Sequence, residues 1–211
     1  MSVDQGLRRR LEPDARREQI LAVAVRLFGE RGWAEVSTTD VARDAGVARG
    51  LINHYFGTKK DLYLEVIRVM LTVPPSAIAQ LPEGDLATRV AAIVDWFLDV
   101  VSQHSRSWLA AITAGGMAAD AEVAQVVAEA VDGAAASVLA AVGYAGRGDA
   151  LHAMARSYVG LATSTAREWL ERGGLTRAQV HKLLAATLLT MVDQVFPDAV
   201  FPDAAFPDAA F

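Results

Sequence analysis

Apolar residues return along this chain at the spacing of a helix, and no segment shows the two-residue alternation of a half-buried strand. From Asp14, a fitting N-cap, Ile20, Ala24, Leu27 and Phe28 form one stripe, with Arg16, Arg17, Glu18 and Glu30 between them; Gly32 ends it. Ser37 followed by Asp40 reads as a capping box. It predicts a short helix from Thr38 to about Ala45, with Val41, Ala42 and Ala45 inward, stopped by Gly46. Another helix is expected from about Ala48 to Phe56, with Val47, Ile52 and Phe56 apolar. Gly57 and Thr58 close it and cap a fourth, which runs from Lys59 through Leu62, Val66, Ile67 and Met70 until Pro74 and Pro75 forbid continuation.

Beyond the prolines the period persists. Leu86, Val90, Ile93 and Phe97 mark one helix, Trp108 to Ala114 a shorter one, and Val123, Val127, Val131 and Val138 a long one from about Ala121 to Ala141. Gly143 to Gly148 is a break before Leu151, Met154, Tyr158, Leu161 and Thr165. Gly173 and Gly174 close that helix, and Thr176 with Gln179 reads as a second capping box opening a last one, whose apolar face includes Val180, Leu184, Leu188 and Val195. The pattern predicts an all-α protein of roughly nine helices. Residues 1–13 read as a mobile basic arm, with Arg8, Arg9 and Arg10 together. Residues 196–211 repeat Phe-Pro-Asp-Ala with a period of five, which proline bars from a continuous helix and which is too short for a stacked repeat. This reads as a low-complexity tail, or as spaced Phe side chains that dock on an apolar groove.

Two short helices about a tight turn at Gly46-Val47 are not stable alone, so the first long helix must pack across them through Ile20, Leu27, Phe28, Val41, Val47 and Ile52. In such a helix-turn-helix the second short helix fits the major groove of duplex DNA. Arg49 has a planar fork suited to guanine, and Asn53, one turn on, pairs bidentately with adenine; His54 is within reach of the same edges. Gly50 lets the backbone approach the groove floor. Ser37, Thr38 and Thr39 lie where hydroxyls and backbone N–H groups suit a phosphate, and Tyr55 and Lys59 would hold the opposite backbone.

Charge modifies this picture. The net charge of -5 speaks against a nucleic-acid partner, but residues 1–60 carry eleven Lys and Arg against eight Asp and Glu, while residues 61–211 carry nine against seventeen. The chain has no cysteine, which removes disulfides and thiolate chemistry and suits a reducing cytoplasm. Charge-free runs fall short of the ~18 apolar residues of a membrane span, and the N-terminus lacks an unbroken secretory segment, so no membrane partner is expected. His54, His104, His152 and His181 lie far apart, and there is no HExxH, Gly-x-Ser-x-Gly or phosphate-cradling loop. Neither an enzyme nor a metal or cofactor site is expected.

Residues from about Arg17 to Val66 resemble the DNA-binding domain of the TetR family of bacterial transcriptional regulators. The resemblance is carried by Ile20-Leu21, Ala24, Leu27-Phe28, Gly32-Trp33, Ser37, Val41-Ala42, Ala45-Gly46-Val47, Gly50, Tyr55-Phe56, Lys59 and Leu62. It implies phosphate contacts for Thr38, Tyr55 and Lys59 and base-facing positions for Thr39, Arg49, Gly50 and Asn53. One departure is Asn53, where the family most often has tyrosine; it bears on base preference rather than on docking.

The resemblance further implies a DNA-binding domain at residues 14–60 and a larger helical domain at residues 61–195 that binds a small molecule and dimerises through its last two long helices. Gly160, Ala162, Ser164 and Ala166 on one helix and the stripe of Val180 to Val195 on the other would suit that interface, the alternative being that these faces complete the core of the monomer. Trp96, Trp108, Met117, Tyr158, Thr165 and Trp169 are candidates to line an apolar cavity. The expected function is a cytoplasmic homodimeric regulator, a repressor of a palindromic operator that a small molecule releases. The alternative class is a helical small-molecule or protein binding module without sequence-specific DNA binding.

Overall fold

A computed structural model describes residues 13–200, and these are helical throughout, with no strand among them. In chain order the elements are α1 (Pro13–Glu35), α2 (Thr38–Asp44), α3 (Arg49–Phe56), α4 (Lys59–Leu71), α5 (Pro75–Ala79), α6 (Leu86–Gln103), α7 (Ser105–Ile112), α8 (Ala121–Ala141), α9 (Asp149–Arg167), α10 (Arg177–Thr190) and α11 (Phe196–Val200). Residues 1–12 of the basic arm and the repeats beyond residue 200 lie outside the described residues.

Local chemistry sets most of the boundaries. α1 turns at Gly32, whose φ of 75° and ψ of 174° suit only glycine. Ser37 and Asp40 form the expected capping box on α2, and Thr176 and Gln179 do so on α10. A third box, Thr58 with Asp61, opens α4. After α2 the Gly46 N–H bonds to the Arg43 carbonyl at 3.1 Å and the Val47 N–H to the Ala42 carbonyl at 2.9 Å, the paired bonds of a left-handed helix stop. The prolines after α4 have a second effect: Pro75 occupies the first turn of α5, a position that needs no N–H, and so begins a helix as well as ending one.

Two main cores result. The first joins α1 to α4 through Ile20, Leu27, Phe28, Val41, Ile52 and Leu62, all essentially inaccessible, and extends to Val123 and Val126 at the foot of α8. α4 belongs to this core through Leu62, Tyr63, Val66 and Ile67, so a division at residue 60 cuts through packed side chains. Phe28, Trp33 and Tyr63 pack ring to ring at 5.0 to 6.1 Å. The Tyr63 hydroxyl is buried without a partner among the described residues, and burial pushes its pKa up to about 12.

The second core is built from α6, α8, α9 and α10. Here the structure corrects most of one expectation: Val180, Leu184, Leu188 and Val192 are buried within the chain, as are Ala162 and Ala166, so most of this stripe is core, whereas Leu183 and Val195 stay exposed. Gly160 and Ser164 remain exposed. The last helix also continues past Val195 through a wide turn into α11, where Phe196 of the first repeat is buried against Tyr144 with ring centroids 5.3 Å apart. By length and composition the stretches Lys59–Ala79 and Ala121–Ala141 are apolar enough to cross a membrane, which the charge-free runs did not indicate. In the fold α4 and α8 supply residues to the cores.

α1 and α7 meet closely. The Ser107 hydroxyl donates to the Val25 carbonyl at 3.1 Å, and a Cβ on Gly29 would stand 2.3 Å from Ser107 Oγ and 2.7 Å from Ser107 Cα. Lys60, at the start of α4, pairs with Asp120 at 2.9 Å and Glu122 at 2.7 Å at the start of α8. Gly29→Ala should therefore destabilise the protein by about 1–3 kcal/mol in urea unfolding. Adding Ser107→Gly should recover only part of the loss, because backbone also stands in the way.

Acid should weaken two of the caps. The Asp40 carboxyl is held below its ordinary value chiefly by the Ser37 hydroxyl, and that of Asp61 chiefly by the Thr58 backbone N–H. A carboxyl lowered by folding contributes stability above its unfolded value of about 3.9 and loses it as pH falls through the lower folded value. Below about pH 4 the unfolding midpoint should drop, and a double variant Asp40→Asn with Asp61→Asn should show a shallower drop.

Candidate nucleic-acid interface

α3 is the short helix whose two faces differ most plainly in role. Ile52 and Phe56 anchor it in the first core, while Arg49, Gly50, Asn53 and His54 are exposed, all from one helix of eight residues. Arg49 forms no ion pair among the described residues. Its neighbours differ: Arg26 bonds Asp44 at 2.9 Å and Glu30 at 3.2 Å, Arg43 bonds Asp40 at 2.9 Å, and Arg17 bonds Glu65 at 2.7 Å. Asn53 likewise has no side-chain hydrogen bond among the described residues. A guanidinium and a carboxamide on one face, both unengaged, are the side chains that pair bidentately with guanine and adenine edges.

Gly50 adds an independent observation. It stands in the first turn of α3, and a Cβ there would meet nothing within 4 Å. No neighbour among the described residues calls for glycine at this position.

The flanking candidates divide. Ser37 is exposed, but its hydroxyl donates to Asp40 Oδ2 at 2.6 Å and accepts from the Asp40 N–H at 3.1 Å, so it serves as the cap of α2 with a carboxylate beside it. The side chains of Thr38 and Thr39 have no such engagement among the described residues. Tyr55 is half-buried, edge-on to His54 at 5.1 Å. Lys59 departs furthest from a free phosphate clamp: its ammonium donates to the Trp33 carbonyl at 2.6 Å and lies 4.1 Å from the centre of the Trp33 ring, and burial lowers its pKa. It ties the start of α4 to the end of α1. Trp33 and Tyr63 were not singled out as site residues, because neither faces the groove; Trp33 stood only within the family pattern.

Of the six candidates for a cavity, three come together. A space of about 190 Å³ lies between α4, α6, α7, α8 and α9, with Trp96, Trp108 and Tyr158 in its walls. Tyr158 donates its hydroxyl to the Leu184 carbonyl at 3.1 Å, and burial raises its pKa. The other three lie elsewhere. Met117 packs against the first core, the Thr165 hydroxyl bonds back to Leu161 and Ala162 of its own helix, and Trp169 packs beside Val101 and Ala166. Sequence spacing missed Phe97, Val131 and Ser137, which line the cavity, and the end of α4, Met70 to Val73, which forms one wall.

A family model described as bacterial regulatory proteins, tetR family, matches residues 20–66, and one described as Tetracyclin repressor-like, C-terminal domain, matches residues 86–191. The HTH-type transcriptional regulator BetI of Agrobacterium fabrum is 44% identical over 61 residues, 29% of this chain and 29% of its own length. The HTH-type transcriptional regulator BetI 2 of Chromohalobacter salexigens is 33% identical over 107 residues, 47% of this chain and 51% of its own. The matches thus span about half or less of the length of these curated relatives. A crystal structure of a tetR-family transcriptional regulator from Streptomyces coelicolor superposes with a TM-score of 0.68 at 26% identity, covering 86% of this chain and 83% of that one. With a helix-turn-helix in α2 and α3, matched by the first family model, and a helical second part matched over half the chain by the other, the protein belongs to the TetR family of bacterial regulatory proteins.

Proposed function

We propose that this protein is a cytoplasmic transcriptional repressor that binds a palindromic DNA operator as a homodimer and is released from it by a small molecule. The observation that carries the reading is the outer face of α3, where Arg49, Gly50, Asn53 and His54 are exposed and Gly50 has empty space around it. Thr38, Thr39 and Tyr55 flank that face and supply the phosphate contacts. Ser37 and Lys59 act from behind, as a cap and a strut.

A second copy is favoured by what α9 and α10 leave outside. Ala153, Ser157, Gly160 and Ser164 are exposed at intervals of three and four along α9, and Leu183 of α10 is 43% exposed. Gly160, like Gly50, is a helical glycine with no neighbour near its missing side chain. Small residues at that spacing let a partner helix approach closely. Two copies place two α3 helices in successive major grooves about 34–36 Å apart.

Release is supported by the position of α4. Its first residues follow α3, its middle lies in the first core, and its end forms a wall of the cavity. A ligand that prefers a different setting of that wall biases the separation of the two reading helices, and weakens operator binding by its differential affinity for the two settings.

DNA selected from random duplexes should yield a palindrome, and binding should weaken steeply as salt rises. Arg49→Ala should cost about 1–3 kcal/mol at one base position of each half-site and relax specificity there. Gly50→Ala should raise the melting temperature while weakening operator binding; unchanged binding would remove the close approach at that position. Gly160→Leu should shift the protein from dimer to monomer in sedimentation. A dimer that survives it places the interface on another face.

A further inference from the structure

The geometry points to an uncharged, ring-bearing molecule with one hydrogen-bond donor, in class a phenol or aromatic alcohol, as the ligand of the cavity between α4 and α9. The assignment rests on reading that cavity as the effector site. Its walls carry four aromatic side chains, Trp96, Phe97, Trp108 and Tyr158, of which Phe97 and Trp108 meet edge to face at 6.1 Å. Aliphatic residues fill most of the rest, and no Asp, Glu, Lys, Arg or His is among the lining residues. A charged group inside would lose its water and meet no counter-ion, which costs far more than apolar contact returns. This argues against carboxylates and ammonium compounds alike.

The lining hydroxyls narrow the class further. Ser137 donates to the Gly133 carbonyl at 2.9 Å, Thr163 to the Val159 carbonyl at 2.9 Å and Tyr158 to the Leu184 carbonyl at 3.1 Å. These three protons are engaged, so their oxygens offer lone pairs to the cavity and suit a donor on the ligand, while the hydroxyl of Thr72, which is exposed, has no partner among the described residues. The indole N–H groups of Trp96 and Trp108 have no partner among the described residues and suit the lone pair of the same hydroxyl. A volume of about 190 Å³ exceeds the roughly 150 Å³ that accommodates a benzene and matches a ligand of one or two rings.

A second space of about 190 Å³ shares Thr72, Val73 and Ala130 with the first and is bordered by Arg68 of α4 and Glu129 of α8. Arg68 is already paired with Glu65 at 2.9 Å, and Glu129 carries the opposite sign, so a charged head there gains one attraction against one repulsion. Gly133, exposed and with open space around it, borders the same second space.

Calorimetric titration of the full chain at pH 7 with 2-naphthol, naphthalene, 2-naphthoate and 2-naphthylmethylammonium tests the assignment. 2-Naphthol should bind at least about tenfold more tightly than either charged probe and about threefold to tenfold more tightly than naphthalene, the worth of one neutral hydrogen bond. Ser137→Ala should reduce the preference for 2-naphthol over naphthalene, and Ala134→Phe, checked for folding by circular dichroism, should abolish binding of both. A charged probe that binds as well as 2-naphthol, no binding by any probe, or 2-naphthol binding indifferent to both variants overturns the ligand class. Operator binding is measured separately. 2-Naphthol that fills the cavity without weakening DNA binding removes the release reading and leaves the ligand class standing, whereas release by 2-naphthoate does the reverse.

Discussion

The burial of α4 against two different surfaces is the constraint on which the rest of this structure depends. Its middle cannot leave the first core without exposing Leu62, Tyr63 and Ile67, and its end cannot move without reshaping the cavity bounded by Met70 to Val73. Packed interiors transmit displacement because they resist compression. Ion pairs reinforce the tie: Glu65 of α4 holds both Arg17 of α1 and Arg68 one turn on, and Arg17 lies 4.9 Å from the Phe56 ring at the end of α3. The cavity and α3 are thus connected by side chains in contact.

The charge of the N-terminal part gains meaning from where it is neutralised. Arg17, Arg26, Arg43 and Lys60 all face carboxylates within 3.0 Å. These pairs are mostly exposed and contribute little to stability individually, but they leave Arg49 as a cation with no intramolecular claim among the described residues. The acidic remainder of the chain holds two of the carboxylates, Asp120 and Glu122, that engage Lys60 across the boundary. A net charge of -5 is therefore compatible with a surface that attracts DNA at one end.

Glycines mark the external surfaces in a way that contacts alone do not. Gly29 is explained from within, by Ser107. Gly50, Gly133 and Gly160 are helical and surrounded by open space. A helix interior disfavours glycine, so Gly133 of α8 and Gly160 of α9 are not explained by any neighbour among the described residues.

Helix boundaries, caps and the helix-turn-helix were legible in the amino-acid order, because each depends on residues three or four apart: Ser37 with Asp40, Gly46 after α2, Thr176 with Gln179. The polar face of α3 was legible for the same reason, since Ile52 and Phe56 determine which side turns inward. The sequence suggests Met117, Thr165 and Trp169 for the cavity and the stripe of Val180 to Val195 for an interface, whereas the fold puts the first three elsewhere and buries Val180, Leu184, Leu188 and Val192 within the chain. A helical stripe states that a face is buried but not against which neighbour, and that choice is made by contacts such as Tyr158 with Leu184 or Phe196 with Tyr144, tens of residues apart. The engagement of Lys59 with the Trp33 carbonyl is of the same kind. Sequence alone determined the elements and the chemistry they carry, whereas the shape of the cavity and the intramolecular partners of side chains such as Lys59 were decided only when distant helices packed together.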